Sequence, residues 1–190
     1  MINSEVNQAG NYVLHVWQFD QGSLQGVPLR GLTVALLEKG GESLAVPENR
    51  ASGAVAYLPP GLSPAQRTAL LAWAQQSTTV KLDESRVKVA PMQMTFDRDK
   101  VLFSMGKKAA FTAGPIPVCA TGGCGEMLWY QPRSAASSFV VDQIGQSRIV
   151  EPLLSLRWMD HGRRTLFVGR FGDPEPTVPA ICGAPATASL

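Results

Sequence analysis

Apolar residues along this chain fall into short runs punctuated by glycine and proline, and the parity of each run predicts how it is buried. Tyr12 to Phe19 (YVLHVWQF) is apolar at odd and even positions alike, which predicts a strand covered on both faces. Leu32 to Leu37 (LTVALL) is a second candidate strand, and Ala54 to Leu58 (AVAYL) is a short third one ended by Pro59-Pro60-Gly61. One helix stands out. Ser63 is an N-cap, Pro64 takes the first helical position and Gln66 completes a capping box, so a helix is predicted over about 64–77. Leu70, Trp73, Ala74 and Ser77 share one face, widened by Leu71, with Trp73 as a core anchor.

Beyond the helix, Val87 and Val89 are apolar at odd positions, whereas Met92, Met94 and Phe96 are apolar at even ones. The parity flips across Ala90-Pro91, which predicts a bulge or break that turns all five side chains to the core. Asp97 to Lys100 supplies a turn, and Val101 to Met105 returns. Further strands are expected at Met127–Tyr130 and Ser138–Asp142. A closing hairpin follows, Leu153 to Met159 and Thr165 to Phe171 about a tip at Asp160-His161-Gly162-Arg163. From Asp173 onward four prolines mark an irregular tail. The expectation is a mainly β protein, an antiparallel sandwich or half-open barrel of about nine strands, with the helix plugging one end. Residues 1–172 form its single domain, and 173–190 trail it or pack on it.

Composition sharpens this picture in one respect. Charged residues make up 17% of the 190 positions, against about 25% in ordinary soluble proteins, which suits a turn-rich β fold. Residues 61–120 carry eight basic and four acidic groups, against three and five before them and six and six after. That bias falls short of a dedicated nucleic-acid footprint, so nucleic acid is not the expected partner. No apolar stretch reaches the roughly 18 residues that span a bilayer. The first residues hold neither a basic nor an apolar leader region, which leaves a cytoplasmic protein or a mature form whose leader was replaced by Met1. Low charge and a close cysteine pair favour the periplasm or cell exterior.

Candidate chemistry is sparse. Cys119 and Cys124, separated by Ala-Thr-Gly-Gly, can approach disulfide distance, leaving Cys182 unpaired. A loop that short stabilises by roughly 2 kcal/mol on the chain-entropy model, enough to fix a turn. As metal ligands with Cys182, His15 and His161, the same thiols match no standard zinc spacing. As nucleophiles they need a base, His161 or His15. His161 sits in the expected hairpin tip, and His15 reads as a satisfied core histidine. Ser85-Arg86-Val87-Lys88 and Ser104-Met105-Gly106-Lys107 fit S-x-x-K but lie in strand-like sequence. No glycine-rich phosphate loop occurs, and no cofactor is implied.

What remains is a non-enzymatic module that binds another protein, of a bacterial envelope or secretion context, of inhibitor, immunity or assembly type. Its expected interface is the final hairpin, with Arg157, Trp158, Arg163 and Arg164 as contact residues, beside the glycine-rich Cys loop. Glu151, Asp160 and Asp173 are placed to neutralise those arginines. Two alternatives stand beside it: a Cys-dependent hydrolase or transferase using Cys119 or Cys124 with His161, and a weak nucleic-acid or anionic-surface binder using the lysines of 81–108 with the final hairpin.

Overall fold

The structure is a computed structural model, and it describes residues 12–40, 51–97, 100–115 and 138–170. The N-terminal arm, the Arg98-Asp99 turn, the three cysteines, the Met127–Tyr130 run and the proline-rich tail lie outside the described residues.

The described residues build a mainly β sandwich with one α-helix, and neither sheet closes into a barrel. Sheet I orders four strands as β1 (Tyr12–Gln18), β4 (Thr33–Lys39), β5 (Gly53–Leu58) and β6 (Val87–Val89). Between its first two strands a small ribbon forms from β2 (Ser23–Leu24) and β3 (Val27–Pro28). Its turn residues Gln25 and Gly26 both have positive φ, as a two-residue hairpin of the favoured twist requires. Pairing in sheet I is antiparallel except between β5 and β6. A parallel pair needs a crossover, and helix α1 (Pro64–Gln76) supplies it. Sheet II is a five-stranded antiparallel meander: β7 (Met92–Asp97), β8 (Lys100–Met105), β9 (Ala109–Pro115), β10 (Ser138–Glu151) and β11 (Leu156–Arg170).

The doubly apolar runs now have their explanation. Val34, Leu36, Ala54, Ala56 and Leu58 point to one side of sheet I, where Ala69, Leu70 and Ala74 of α1 cover them. Ala35, Leu37, Val55 and Tyr57 point to the other side and pack on Phe103, Met105, Phe111, Ile149, Leu156 and Trp158 of sheet II. Sheet I is thus the middle of three layers, and its central strands have no solvent face. Strand β1 is at the edge of sheet I, yet Trp17 joins the helix side and Tyr12, Leu14 and Val16 the sheet II side. The helix begins as the capping box dictates: Gln66 N–H donates to Ser63 Oγ at 3.2 Å, and Ser63 N–H to Gln66 Oε1 at 3.1 Å. It lies over the outer face of sheet I and does not plug an end of the sandwich. The apolar helix face meets Val34 and Leu36, side chains no end cap could reach. Trp73 sets its ring against Trp17 and Phe19, edge to face.

The break expected at Ala90-Pro91 is where the chain leaves sheet I for sheet II. Ala90 N–H still donates to Leu58 O of β5 at 3.0 Å, and Pro91 O accepts from Gly106 N–H at 3.0 Å. Proline lacks the next N–H, and no ladder asks for it there. The expectation that all five flanking apolar side chains face the core is corrected. Val89, at the edge of sheet I, is 61% exposed, and Phe96, near the end of edge strand β7, is 53% exposed.

The tip of the closing hairpin is also corrected. Asp160 to Arg163 lie inside β11, and the chain reverses at Pro152–Leu154 instead. Glu151 accepts from Leu153 N–H at 2.9 Å, and Ser155 closes the turn in the left-handed region at φ +51°. Gly162, expected in a turn, instead lies within β11 where the β10–β11 register shifts around Gly145.

Candidate functional site on the outer face of sheet II

The polar groups most suited to chemistry are inside the sandwich and are held there by one another. Tyr57 and Lys88 are register partners on β5 and β6. Glu151, fully buried at the end of β10, reaches between them from the opposite sheet. The Tyr57 hydroxyl donates to Oε2, while Lys88 Nζ at 2.5 Å and Leu153 N–H at 2.9 Å donate to Oε1. Burial alone raises the Glu151 carboxyl, but these donors, led by Lys88 and Tyr57, outweigh it and hold the group below the ordinary glutamate range. Burial first, then the bond to Glu151 and its charge, push the Tyr57 phenol well above the ordinary tyrosine range. At neutral pH Glu151 is ionised and the Tyr57 phenol neutral, with both carboxylate oxygens engaged. The cluster fastens the two sheets together.

A second buried carboxylate, Glu38 on β4, meets His15 of β1 at 3.1 Å (Nε2 to Oε2), and the imidazole stacks on Trp17 with centroids 5.4 Å apart. Among the described residues no group of three His, Cys, Asp or Glu side chains could hold a metal, and no helix is long and apolar enough to cross a membrane.

The outer face of sheet II is different. Alternation along the meander sends one residue in two away from sheet I, and the register lines these up in rows across the strands. Thr95, Leu102, Thr112, Gln146 and His161 form one row, and Gln93, Ser104, Ala110, Arg148 and Met159 the next. The inward neighbours Val101, Phe103, Met105, Phe111, Ile149 and Trp158 are buried. No described element packs on the outward set. Most of it is polar, interrupted by Leu102 at 43% exposure and Met159 at 66%. Around Leu102, Ser104, Ala110, Thr112 and Arg148 the surface dips into a shallow trough, open to solvent.

The residues expected at the interface separate. Arg157 is exposed and shares the outward side of β11 with Met159. Trp158 points the other way, is 6% exposed, and packs edge to face on Tyr12 at 5.4 Å, so its role as a surface contact is corrected. It is a core residue because strand alternation puts it on the Leu156 side. Arg163 and Arg164 lie in the described backbone of β11, but their side chains are outside the described residues. Glu151, placed above as a charge that offsets the arginines, is instead buried against Lys88. His161 is exposed in mid-strand, and Cys119, Cys124 and Cys182 are outside the described residues, which leaves the thiol chemistry where the sequence left it. In the Ser85-Arg86-Val87-Lys88 stretch the lysine does not serve its serine. Lys88 binds Glu151, and Ser85 donates to Asp83.

Arg148 is the residue that sequence reasoning missed. Lys107 and Lys108 belong to the basic 81–108 segment singled out above, but only the β9–β10 register brings that segment beside Arg148. Comparison with protein-family models, curated proteins and solved structures found no match, so function is argued from geometry alone.

Proposed function

We propose that this chain is a non-enzymatic protein-binding module whose working surface is the open outer face of sheet II. One observation carries the reading: a regular five-stranded face stands uncovered by any described element, with Met159 exposed beside Arg148 and Arg157 and Leu102 exposed between Thr95 and Thr112. The two described buried carboxylates are engaged by neighbouring side chains in the interior, which fits a scaffold more than a catalyst. Rigid β faces with arginine and apolar contacts suit recognition. The scarcity of charge and the Cys119/Cys124 pair favour a bacterial envelope or secretion setting, with an inhibitor, immunity or assembly role.

A photo-crosslinking residue placed at Leu102 or Met159 is expected to trap the same protein from native cells from both positions. The same residue at exposed Gln76, on the helix, is expected to trap none. No adduct from the two sheet positions, or identical adducts from all three, contradicts the reading.

A further inference from the structure

We propose that one end of this face reads an acidic segment of the protein partner, through Lys107, Lys108, Arg148 and Arg157. The inference rests on the binding reading above and names the chemistry of its partner. Lys107 and Lys108 form the turn between β8 and β9, where Lys108 N–H donates to Met105 O at 2.9 Å. The carbonyl of Lys108 accepts from Val150 N–H at 2.7 Å, which ties the turn to β10. Val150 lies opposite Arg157 in the register, and Arg148, two residues back on the same side of β10, lies between Ala110 and Met159. With strands about 4.8 Å apart and about 3.4 Å per residue, the four backbones fall within roughly 15 Å. A segment of a few residues laid across them meets each charge in turn, at a range shorter than the Debye length of about 8 Å at physiological salt.

Lys107, Arg148 and Arg157 are exposed and Lys108 is half-buried. Two described carboxylates are directed elsewhere. Glu151 faces the interior on Lys88, and Glu84 pairs with Arg67 on the helix side. No described outward side chain of sheet II is acidic. A basic cluster of this kind attracts carboxylates, phosphates or anionic lipid alike. The rest of the face selects among them. It presents no phenylalanine, tyrosine or tryptophan among its described outward residues on which bases could stack, as single-stranded nucleic acid needs. It does present Leu102 and Met159 beside the cations, a match for an apolar side chain flanked by aspartate or glutamate.

The test uses the full chain and a fluorescein-labelled decapeptide of aspartate and glutamate around a central Leu-Phe pair. Anisotropy is expected to show saturable binding that weakens as salt rises. Binding is expected to weaken about tenfold or more in the Arg148→Ala, Arg157→Ala double variant, and to stay unchanged in Arg30→Ala, an exposed arginine outside the cluster. No binding by the parent chain, or equal binding by the double variant, overturns the proposal. So does tighter binding to a 20-nucleotide single strand or to phosphatidylglycerol vesicles than to the peptide. If the crosslinkers at Leu102 and Met159 still trap their partner undiminished in the double variant, the binding module stands and the acidic-segment inference falls. If they trap none in the parent chain, the module reading itself falls.

Discussion

Glu151→Ala is expected to lower the unfolding free energy by about 3 kcal/mol, because it strands the donors that a buried carboxylate was holding. Tyr57 is almost fully buried and its hydroxyl loses its partner, whereas Lys88, partly exposed, can turn toward water. That asymmetry sets the figure at the lower end for a broken buried pair. Glu151→Gln keeps the shape and part of the hydrogen bonding, so its cost is expected to be about half as large. Urea denaturation followed by circular dichroism measures both. The pH dependence follows from the same contacts. The folded carboxyl titrates below the unfolded value, so its contribution is complete above about pH 5 and fades as acid carries the pH through the folded value. The folded phenol titrates above the unfolded value, so its contribution is complete below about pH 9 and fades as rising pH ionises the unfolded tyrosine near 10. The stability gap between parent and Glu151→Gln is therefore expected to be flat from about pH 5 to 9 and to shrink in acid. An undiminished gap at pH 3 contradicts the assignment.

Trp158→Ala is expected to cost about 3–5 kcal/mol, the range for emptying a large aromatic site in a core. Trp158 is buried in the apolar layer between the sheets and meets Tyr12 of β1, so it joins strand β11 to the far edge of sheet I. A tryptophan serving mainly as a surface contact would behave otherwise, with stability nearly intact and only partner affinity lost. Trp158→Phe refills part of the volume and is expected to recover about half of the loss. A Trp158→Ala chain within about 0.5 kcal/mol of the parent in the same urea experiment contradicts the core assignment.

Much of the fold was legible because its signals are local. Ser63, Pro64 and Gln66 announce α1 within four residues, and the double parity of YVLHVWQF announces a strand with two covered faces. The reversal at Pro152–Leu154 was not legible, because its residues look apolar and its stabilising group, the Glu151 side chain, is also occupied across the sandwich. Asp160-His161-Gly162-Arg163 carries stronger turn chemistry but is taken up by a strand with a bulge. The site was half legible. Arg157 and the basic 81–108 segment were singled out separately, and their proximity depends on a strand order that no short pattern encodes. Trp158 and Arg157 differ only in parity, and a misplaced turn hides which parity faces solvent.

Two methionines make the central claim directly measurable. Met159 is on the open face and Met105 is fully buried between the sheets. Peroxide footprinting read by peptide mass spectrometry, with and without the crosslink-identified partner, is the decisive measurement. The account predicts rapid oxidation of Met159 in the isolated chain, protection of Met159 when the partner is added, and slow oxidation of Met105 in both. Met159 protected in the isolated chain, or oxidised equally with and without partner, would contradict the claim that this open face is the working surface.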